Sequence, residues 1–325
     1  MDFYYDKHYE EDLFNYFNEQ LPEKLYDAHF HLKSGYPERF GYTDPYLQYA
    51  DFTEKALGRK MAGGLVMANA PRPPRLEAAN ELVLTIAEER DLSVGYVITP
   101  LDNKEKIAAV LDANPRITAL KPYFTYSDVP DIYEANISDY VPEWAFELAN
   151  ERHLPIIIHL SHYQDMLWDE NNLREIRYFS EKYPNAKIVL AHCALGHNVR
   201  KLRLGLSEIA DLKNIWFDCS GVSETMSIYY CLKTFGVEKM MWGGDHNYGQ
   251  MSGRIVSFGS NFLALHPSTL KDGDLPLPAD YKYQPLPNVI ECTLALLEAM
   301  ELLELSQKER EDIFYNNAAA LYGRK

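Results

Sequence analysis

The chain alternates short apolar runs with longer stretches in which apolar residues recur every three or four positions. The short runs are almost continuously apolar, as strands are when helices cover one side of a sheet and a barrel interior lies on the other. Eight such runs occur in chain order: KLYDAHFHL, MAGGLVMA, LSVGYVIT, ITALKPYF, LPIIIHL, AKIVLAHC, NIWFDCS and KMMWGGD. This rhythm predicts eight buried parallel strands.

The longer stretches predict the helices that connect those strands. RLEAANELVLTIAEER, YVPEWAFELANER and NLREIRYFSEKY place their apolar residues three and four apart, which aligns them on one helix face. Repeated strand–helix units predict an α/β protein with a (β/α)₈ TIM-type barrel. An open doubly wound sheet has a similar rhythm, but no glycine-rich dinucleotide fingerprint follows the first strand, which favours the closed barrel.

Two segments fall outside this rhythm. Residues near 8–21 predict a short amphipathic helix, within an N-terminal extension of about 1–24, that would cover the barrel floor. Residues of about 249–287 are rich in Gly, Pro, Ser and Asp, and they predict a long irregular loop on the catalytic face after the eighth strand. Because barrels of this length commonly have one core, we expect residues 1–325 to form one domain.

Composition limits the partners of the chain. The hydrophobic fraction of 46% and the charged fraction of 25% are typical of a soluble globular protein, and no apolar run has the roughly 20 residues needed to cross a membrane. A net charge of −16 disfavours nucleic acid and anionic membranes, which bind Lys and Arg. The acidic, aromatic N-terminus and four scattered cysteines favour a cytoplasmic protein with reduced thiols. We expect a small-molecule substrate, which local basic residues would allow to be anionic.

Histidines and an aspartate recur at the ends of the predicted strands. His29 and His31 are two residues apart on the first strand, so their side chains leave the same face. His159 and His192 come at or near the ends of the fifth and sixth runs, and Asp245 ends the eighth. An isolated His-x-His pair is more often structural, but barrel active sites are built from strand carboxyl ends. Imidazole with carboxylate predicts a divalent metal site, with zinc first and manganese or iron as alternatives.

Other residues near these strand ends have weaker signals. Gly243 and Gly244 would let the backbone approach a neighbour closely, or would mark a simple turn. Arg72 follows the second run and would hold a substrate carboxylate, with pairing to surface acids as the alternative. His246 directly follows the strand-eight aspartate and is predicted to contact substrate. No metal ligation is expected from two further histidines, His162 and His197.

The order of the motifs resembles the amidohydrolase superfamily, specifically its mostly mononuclear branch of lactonases, acyl hydrolases and non-oxidative decarboxylases. The resemblance covers most of the chain and rests on YDAHFH, ALKPYF, IIIHL, IVLAHCALGH, WFDCSG and WGGDHNY. The final stretch DIFYNNAAALYG resembles the C-terminal helix of that family, which implies a helix at about 306–323.

The resemblance also implies roles for individual residues. His192 would contact the catalytic water or the substrate, and Asp245 would share proton transfer with it. Lys121 is the residue that decides between one metal and two, because binuclear members carboxylate a lysine of the fourth strand. We expect an uncarboxylated Lys121 that lines the substrate pocket, with a plain salt bridge as the alternative. One divalent ion would have four ligands: His29, His31, His159 and Asp245.

Together these features predict a metal-dependent hydrolase in which an activated water attacks an ester, lactone or amide carbonyl of a small molecule. The alternative reaction is non-oxidative decarboxylation of a small carboxylated substrate, with His192 helping to protonate the carbanion. A metal-containing barrel that binds a ligand without turnover is a third possibility. A symmetric homo-oligomer is a common state for such enzymes.

Overall fold

A single sheet of eight strands organises the chain. The computed structural model describes residues 7–33, 41–69, 75–266 and 285–323. The strands lie side by side in chain order and each neighbouring pair is parallel. They are β1 (Leu25–Leu32), β2 (Met61–Ala68), β3 (Ser93–Ile98), β4 (Ile117–Pro122), β5 (Pro155–Ile158), β6 (Lys187–Leu190), β7 (Ile215–Asp218) and β8 (Met240–Met241). Each strand falls within one of the eight predicted runs.

The barrel closes where the segment after β8 returns to β1. Asp245 donates its backbone N–H to the carbonyl of His29 at 2.7 Å, and His31 donates to the carbonyl of His246 at 2.7 Å. These hydrogen bonds pair residues that follow β8 with the second half of β1. The predicted (β/α)₈ barrel is therefore confirmed.

Two glycines allow this close contact, as the sequence predicted. A Cβ atom on Gly244 would lie 2.7 Å from Oδ2 of Asp27, and a Cβ on Gly243 would lie 3.0 Å from the Cβ of His29. The N–H of Gly244 also donates to Oδ1 of Asp27 at 2.9 Å. Any side chain at Gly244 would push the strand ends apart, and the metal-ligand candidates lie on those ends.

Helices connect the strands and pack on the sheet. They are α1 (Lys7–Gln20), α2 (Pro45–Leu57), α3 (Leu76–Arg90), α4 (Lys104–Ala113), α5 (Ile137–Tyr140), α6 (Glu143–Arg152), α7 (Glu170–Lys182), α8 (Ala191–Leu195), α9 (Val199–Ile209), α10 (Thr225–Phe235), α11 (Asn288–Leu302), α12 (Gln307–Glu311) and α13 (Asn317–Tyr322). Helices α3, α6 and α7 are the three that periodicity predicted, and α1 is the predicted N-terminal helix. Among the described helices, none is both long and apolar enough to span a membrane.

Local sequence explains where helix α2 begins and ends. The side chain of Asp44 accepts the backbone N–H groups of Tyr46 and Leu47, which otherwise have no partner in the first turn. Pro45 occupies the first helical position, where a missing N–H costs nothing. Gly58 ends the helix with a φ of 65°, a conformation that glycine adopts without strain.

The C-terminal helix closes the amino-terminal end of the barrel. A π-turn at Asp312–Asn316 joins α12 to α13, so the predicted helix at about 306–323 is present with this local irregularity. Ala318 and Tyr322 of α13 belong to the apolar cluster inside the barrel. The carbonyl of Tyr322 accepts a hydrogen bond from Oγ of Ser93, the first residue of β3, at 2.8 Å. This leaves the opposite end, where the strands terminate, for the functional site.

The segment after β8 is more regular than the sequence predicted. Within it, β9 (Arg254–Phe258) and β10 (Asn261–Leu265) form an antiparallel hairpin around a tight turn at Gly259. The overall Gly, Pro and Ser content obscured two short β-prone runs separated by a two-residue turn, the usual signature of a hairpin. Residues 267–284 of the predicted loop lie outside the described residues.

Candidate active site

One cavity lies at the carboxyl ends of the barrel strands. Its volume is about 310 Å³, a suitable size for a small-molecule substrate. Four of the predicted site residues line it: His31, His159, His192 and Asp245. The position of the cavity agrees with the general rule that barrel enzymes build their active sites at this end.

Three of the predicted metal ligands form a tight cluster beside the cavity. Atoms of His29, His31 and Asp245 that are able to ligate a metal all lie within 4.8 Å of one another. The two Nε2 atoms of His29 and His31 are 3.2 Å apart, and Nε2 of His31 is 4.0 Å from Oδ1 of Asp245. Although these residues come from opposite ends of the chain, closure of the barrel between β1 and β8 brings them together.

Backbone carbonyls orient two of the histidines towards the cavity. Nδ1 of His31 lies 3.1 Å from the carbonyl oxygen of Ala68, and Nδ1 of His159 lies 2.8 Å from that of Leu160. A carbonyl oxygen only accepts hydrogen bonds, so each Nδ1 carries the proton and donates it. The Nε2 atom of each ring then has a free lone pair, which is the state required of a metal ligand.

Residues of the β7 end orient the other two histidines in the same way. Nδ1 of His29 lies 3.0 Å from Oδ2 of Asp218, and Nδ1 of His192 lies 2.8 Å from the carbonyl oxygen of Ser220. The hydroxyl of Ser220 donates to Oδ1 of Asp218 at 2.5 Å, which fixes the carboxylate. In all four imidazoles Nδ1 therefore carries a proton, and Nε2 is the ring nitrogen that faces the other groups of the site.

Burial favours the uncharged form of three of these imidazoles, those of His31, His159 and His192. It lowers the pKa of His31 and of His159 well below the usual value for histidine, because a charged ring would lose its hydration and would face other cationic groups. Burial also lowers the pKa of His192, although Asp245 opposes this shift. These three rings are thus neutral near pH 7 and have lone pairs available without first losing a proton.

The donor set fits a divalent cation. Two Nε2 lone pairs 3.2 Å apart repel each other when neither nitrogen has a proton to share. Two nitrogens at about 2.0–2.1 Å from one tetrahedral zinc ion would be about 3.3 Å apart, which agrees with the observed spacing. Asp245 adds a negative charge to this cluster. His159 stands outside the three-residue group, with its ring centroid 4.9 Å from that of His192 in the same cavity wall.

Lys121 is enclosed in the barrel. Its side chain is fully buried, and Nζ has no hydrogen-bond partner among the described residues. Burial lowers the pKa of Lys121 to about 8, while Asp218 and Asp245 oppose that shift. Nζ lies 5.1 Å from the ring centroid of Tyr123, a residue that does line the cavity. Lys121 therefore lies next to the cavity wall rather than on its surface.

One other sequence candidate, His246, is not brought to the cavity. His246 is 2% exposed, and its Nε2 lies 3.0 Å from Oε1 of Gln48 on α2. Its ring also packs against Tyr49, with centroids 5.2 Å apart. The side chain thus faces helix α2 rather than the cavity predicted for it. Arg72 lies outside the described residues.

Sequence reasoning did not select Asp218, which the structure places directly behind His29. The sequence did contain a signal for it, because Asp218 ends an apolar strand in WFDCSG, as the other candidates end theirs. The cavity residues His197 and Phe262 were also not selected. They come from a loop and from the hairpin, and no periodic pattern indicated that they would meet.

An eight-stranded parallel barrel with histidine and aspartate side chains gathered at the strand carboxyl ends defines an enzyme of the metal-dependent hydrolase and decarboxylase class, which acts on small molecules. A family model described as amidohydrolase matches residues 26–324. The chain belongs to the amidohydrolase family.

Three solved structures with the same fold are distant from this chain in sequence. An amidohydrolase from Burkholderia multivorans with bound zinc has 12% identity and a TM-score of 0.60, with 93% of this chain and 99% of that chain covered. A 5-carboxyvanillate decarboxylase from Sphingomonas paucimobilis has 13% identity and a TM-score of 0.52, with 94% of this chain and 100% of that chain covered. A probable 2-pyrone-4,6-dicarboxylic acid hydrolase from Acinetobacter baumannii with citric acid bound has 13% identity and a TM-score of 0.52, with 92% of this chain and 99% of that chain covered. No curated protein matches the chain.

Proposed function

We propose that this chain is a hydrolase that binds one divalent metal ion, zinc in first place, through four residues: His29, His31, His159 and Asp245. The proposed reaction is hydrolysis of an ester, lactone or amide of a small molecule. The observation that carries the proposal is the 3.2 Å approach of the Nε2 atoms of His29 and His31, both with their protons on Nδ1.

The residues of the site divide the chemical work. A divalent ion in this position supplies a water of lowered pKa and polarises the carbonyl oxygen of the substrate. His192 accepts a proton at Nε2, since its Nδ1 proton is held by the carbonyl of Ser220, and returns that proton to the leaving group. The lowered pKa of His192 keeps Nε2 unprotonated at neutral pH. The carboxylate of Asp245 assists this transfer.

The cavity restricts the size and charge of the substrate. A volume of about 310 Å³ accommodates a compact small molecule. No Lys or Arg occurs among the described residues that line the cavity. The charge of an anionic substrate would therefore be balanced mainly by the metal ion.

The second candidate reaction is non-oxidative decarboxylation of a ring-bearing acid. Aromatic side chains line the cavity beside the metal-ligand candidates, and the ring centroid of Tyr123 is 5.6 Å from that of His159. Such a wall suits an aromatic substrate. In that reaction His192 would first accept a proton at Nε2 from a water molecule, and would then deliver it to the carbon atom that has lost CO₂ rather than to a leaving group.

The metal site is tested by metal analysis of purified protein. We expect about one divalent ion per chain in the wild type, and a reduced content in His31→Ala and His159→Ala. His153→Asn is the matched control, because His153 is an exposed helix-terminal residue with a left-handed backbone that asparagine tolerates. Undiminished metal in His159→Ala would reject the four-ligand site.

The reaction is tested with the metal-loaded enzyme in ¹⁸O-labelled water. We expect lactones, aryl esters or acyl amides to give a product carboxylate that contains the label. Release of CO₂ from aromatic carboxylates without incorporation of the label would establish decarboxylation instead. Inertness towards both panels would support a barrel that only binds its ligand.

A further inference from the structure

The β9–β10 hairpin forms part of the cavity wall. Ile255 of β9 and Phe262 of β10 both line the cavity. The hairpin is held at its base, since Oγ of Ser223 donates to the carbonyl of Ile255 at 2.7 Å. It is also held at its tip, where the side-chain amide of Asn198 donates to the carbonyl of Asn261 at 2.6 Å. These contacts fix the hairpin to the loops that follow β6 and β7.

A continuous row of rings leads from the metal-ligand candidates to this hairpin. The ring centroid of His159 is 6.2 Å from that of Tyr163, and the centroid of Tyr163 is 6.5 Å from that of Phe262. Phe262 is in turn 5.1 Å from His197, which lines the cavity from the loop after β6. The row thus extends along the cavity wall from His159, a metal-ligand candidate, to His197.

His197 ends the row with unused hydrogen-bonding capacity. It is 7% exposed, and its Nδ1 is enclosed without a hydrogen-bond partner among the described residues. Its backbone carbonyl accepts a hydrogen bond from Oγ of Ser257, which ties the residue to the hairpin. Leaving a buried ring nitrogen unpaired is unfavourable, so a ligand that induces the ring to turn Nδ1 towards the cavity and supplies the missing partner gains affinity.

We propose that His197 and Phe262 form the wall that selects the substrate. Phe262 packs against an apolar ring or chain, and His197 makes a hydrogen bond with an uncharged hydroxyl, keto or amide group distal to the reacting carbonyl. This inference rests on the proposed metal-dependent function. It names the substrate class of that site, a compact acyl compound with an apolar body and a neutral polar group at its far end.

The charge state of His197 supports a neutral partner. Burial lowers the pKa of His197 to about 3, and His192 adds to this shift. An uncharged imidazole makes hydrogen bonds but does not balance a substrate charge. The absence of Lys and Arg from the described cavity lining points in the same direction.

The test uses hydroxamic acids as probes, because their hydroxamate group binds a metal and leaves the rest of the molecule to contact the wall. Binding of benzohydroxamic acid and of its 3-hydroxy and 4-hydroxy derivatives is measured by calorimetry on the zinc-loaded enzyme. We expect one hydroxylated isomer to bind about fivefold more tightly than benzohydroxamic acid, the effect of one net hydrogen bond. A wild type without this preference would overturn the proposal.

Variants at position 197 assign that preference to the histidine. His197→Phe keeps a ring against Phe262 but removes both ring nitrogens. Its affinities for benzohydroxamic acid and for the preferred hydroxylated isomer should therefore lie within about twofold of each other. His197→Asn retains a polar atom near the position of Nδ1 and should restore part of the preference. Retention of the full preference in His197→Phe would contradict the proposal. His153→Asn serves as the exposed control.

The hairpin offers a matched pair of phenylalanines. Phe262→Leu should weaken benzohydroxamic acid about fivefold relative to acetohydroxamic acid, which has no ring. Phe258→Leu is the same substitution at a position of the hairpin that is 67% exposed, and it should change neither affinity. Equal effects of the two substitutions would argue against the recognition wall.

Metal-free enzyme separates this inference from the proposed function. If the probes bind equally well with and without zinc, the proposed metal centre is wrong. A hydroxyl preference that disappears in His197→Phe would still support the wall in that case. If no probe binds in either state, both proposals are rejected.

Discussion

At the residue scale, the carboxylate of Asp218 fixes the orientation of the His29 ring. Burial by itself raises the pKa of Asp218, but the adjacent His29, together with His192 and the hydroxyl of Ser220, holds it well below its usual range. The carboxylate therefore stays ionised and makes a charge-assisted hydrogen bond to Nδ1 of His29. Such a partner fixes the ring and makes its Nε2 a stronger ligand.

The first prediction concerns this carboxylate. Asp218→Asn keeps the shape of the side chain but removes its charge, so zinc affinity should fall about 10- to 100-fold. Competition with a chromogenic chelator measures this affinity. Asp128→Asn, the same substitution at an exposed position, should leave it unchanged. Equal zinc affinities of the two variants would show that Asp218 does not position His29.

The second prediction concerns a glycine beside the catalytic residues. Gly221 has a φ of 69°, and a Cβ on it would lie 3.4 Å from Nδ1 of His192 and 3.6 Å from Oδ2 of Asp245. Gly221→Ala should lower stability by about 1 kcal/mol, and its methyl group, which would occupy part of the cavity that Gly221 lines, should reduce kcat/KM at least about tenfold.

Gly58→Ala is the control for this effect. Gly58 has a φ of 65° at the end of α2, where the nearest atom to an added Cβ is 3.9 Å away. It should show a similar loss of stability in urea unfolding with unchanged kcat/KM. A loss of activity in both variants would mean that backbone strain, rather than crowding of the site, is responsible.

At the element scale, the turn after β6 adopts an unusual left-handed conformation. The φ values of His192, Cys193 and Ala194 are 57°, 49° and 58°, and α8 is therefore a left-handed turn rather than an ordinary helix. This conformation costs a residue with a Cβ roughly 1–2 kcal/mol. The backbone N–H of His192 donates to Oδ1 of Asp218 at 3.2 Å, so the turn holds the catalytic candidate against β7.

The third prediction tests the strain in this turn. Ala194→Gly loses a buried methyl group, at a cost of about 0.8 kcal/mol, but relieves the left-handed strain, so stability should be unchanged or slightly raised. Ala109→Gly, in the exposed middle of helix α4, should cost about 1 kcal/mol. Urea unfolding measures the free energy of unfolding of both variants. A loss of about 2 kcal/mol in Ala194→Gly would show that the turn is not strained.

Elements differ in how far their sequences predicted them. The strands β1 to β8 were predictable because each is buried on both sides, which leaves a dense apolar run. The hairpin β9–β10 was not, since it is half exposed and lies in a segment rich in turn-forming residues. The left-handed turn at His192 has no sequence signal, because neither cysteine nor alanine favours a positive φ.

At the scale of the whole molecule, the concentration of buried imidazoles links stability to pH. Burial lowers the pKa of five histidines in the fold: His31, His159, His192, His197 and His246. Below pH ~6.5 the unfolded chain binds protons that the folded chain does not, so stability falls as pH falls. Asp27 and Glu291 act in the opposite direction, since burial raises the pKa of both carboxyl groups, to about 7 for Asp27, but these are two groups against five.

The fourth prediction is that the metal-free protein loses stability as pH falls from about 7.5 to about 5. Urea unfolding at a series of pH values measures this loss. His197→Asn should make the dependence shallower, by up to about 1.4 kcal/mol per pH unit, because the variant lacks one imidazole that is protonated only on unfolding. His153→Asn is the exposed control. A slope unchanged by His197→Asn would contradict the burial of a neutral ring.

The sequence by itself determined the barrel and most candidates for its metal site. Alternation of apolar runs and helical periodicity follows from which faces are buried, and this is encoded locally. The His-x-His spacing and the rule that barrel active sites lie at strand carboxyl ends then selected His29, His31, His159, Asp245 and His192, and the resemblance to the amidohydrolase superfamily implied that the first four are the metal ligands.

Only the tertiary structure decided which of these atoms meet and what supports them. The pairing of Asp218 with His29, the turn of His246 towards α2 and the approach of Phe262 to His197 join residues that are distant in the chain. Such contacts depend on barrel closure and on the path of each loop. No local pattern of apolar and polar residues predicts barrel closure or the path of a loop.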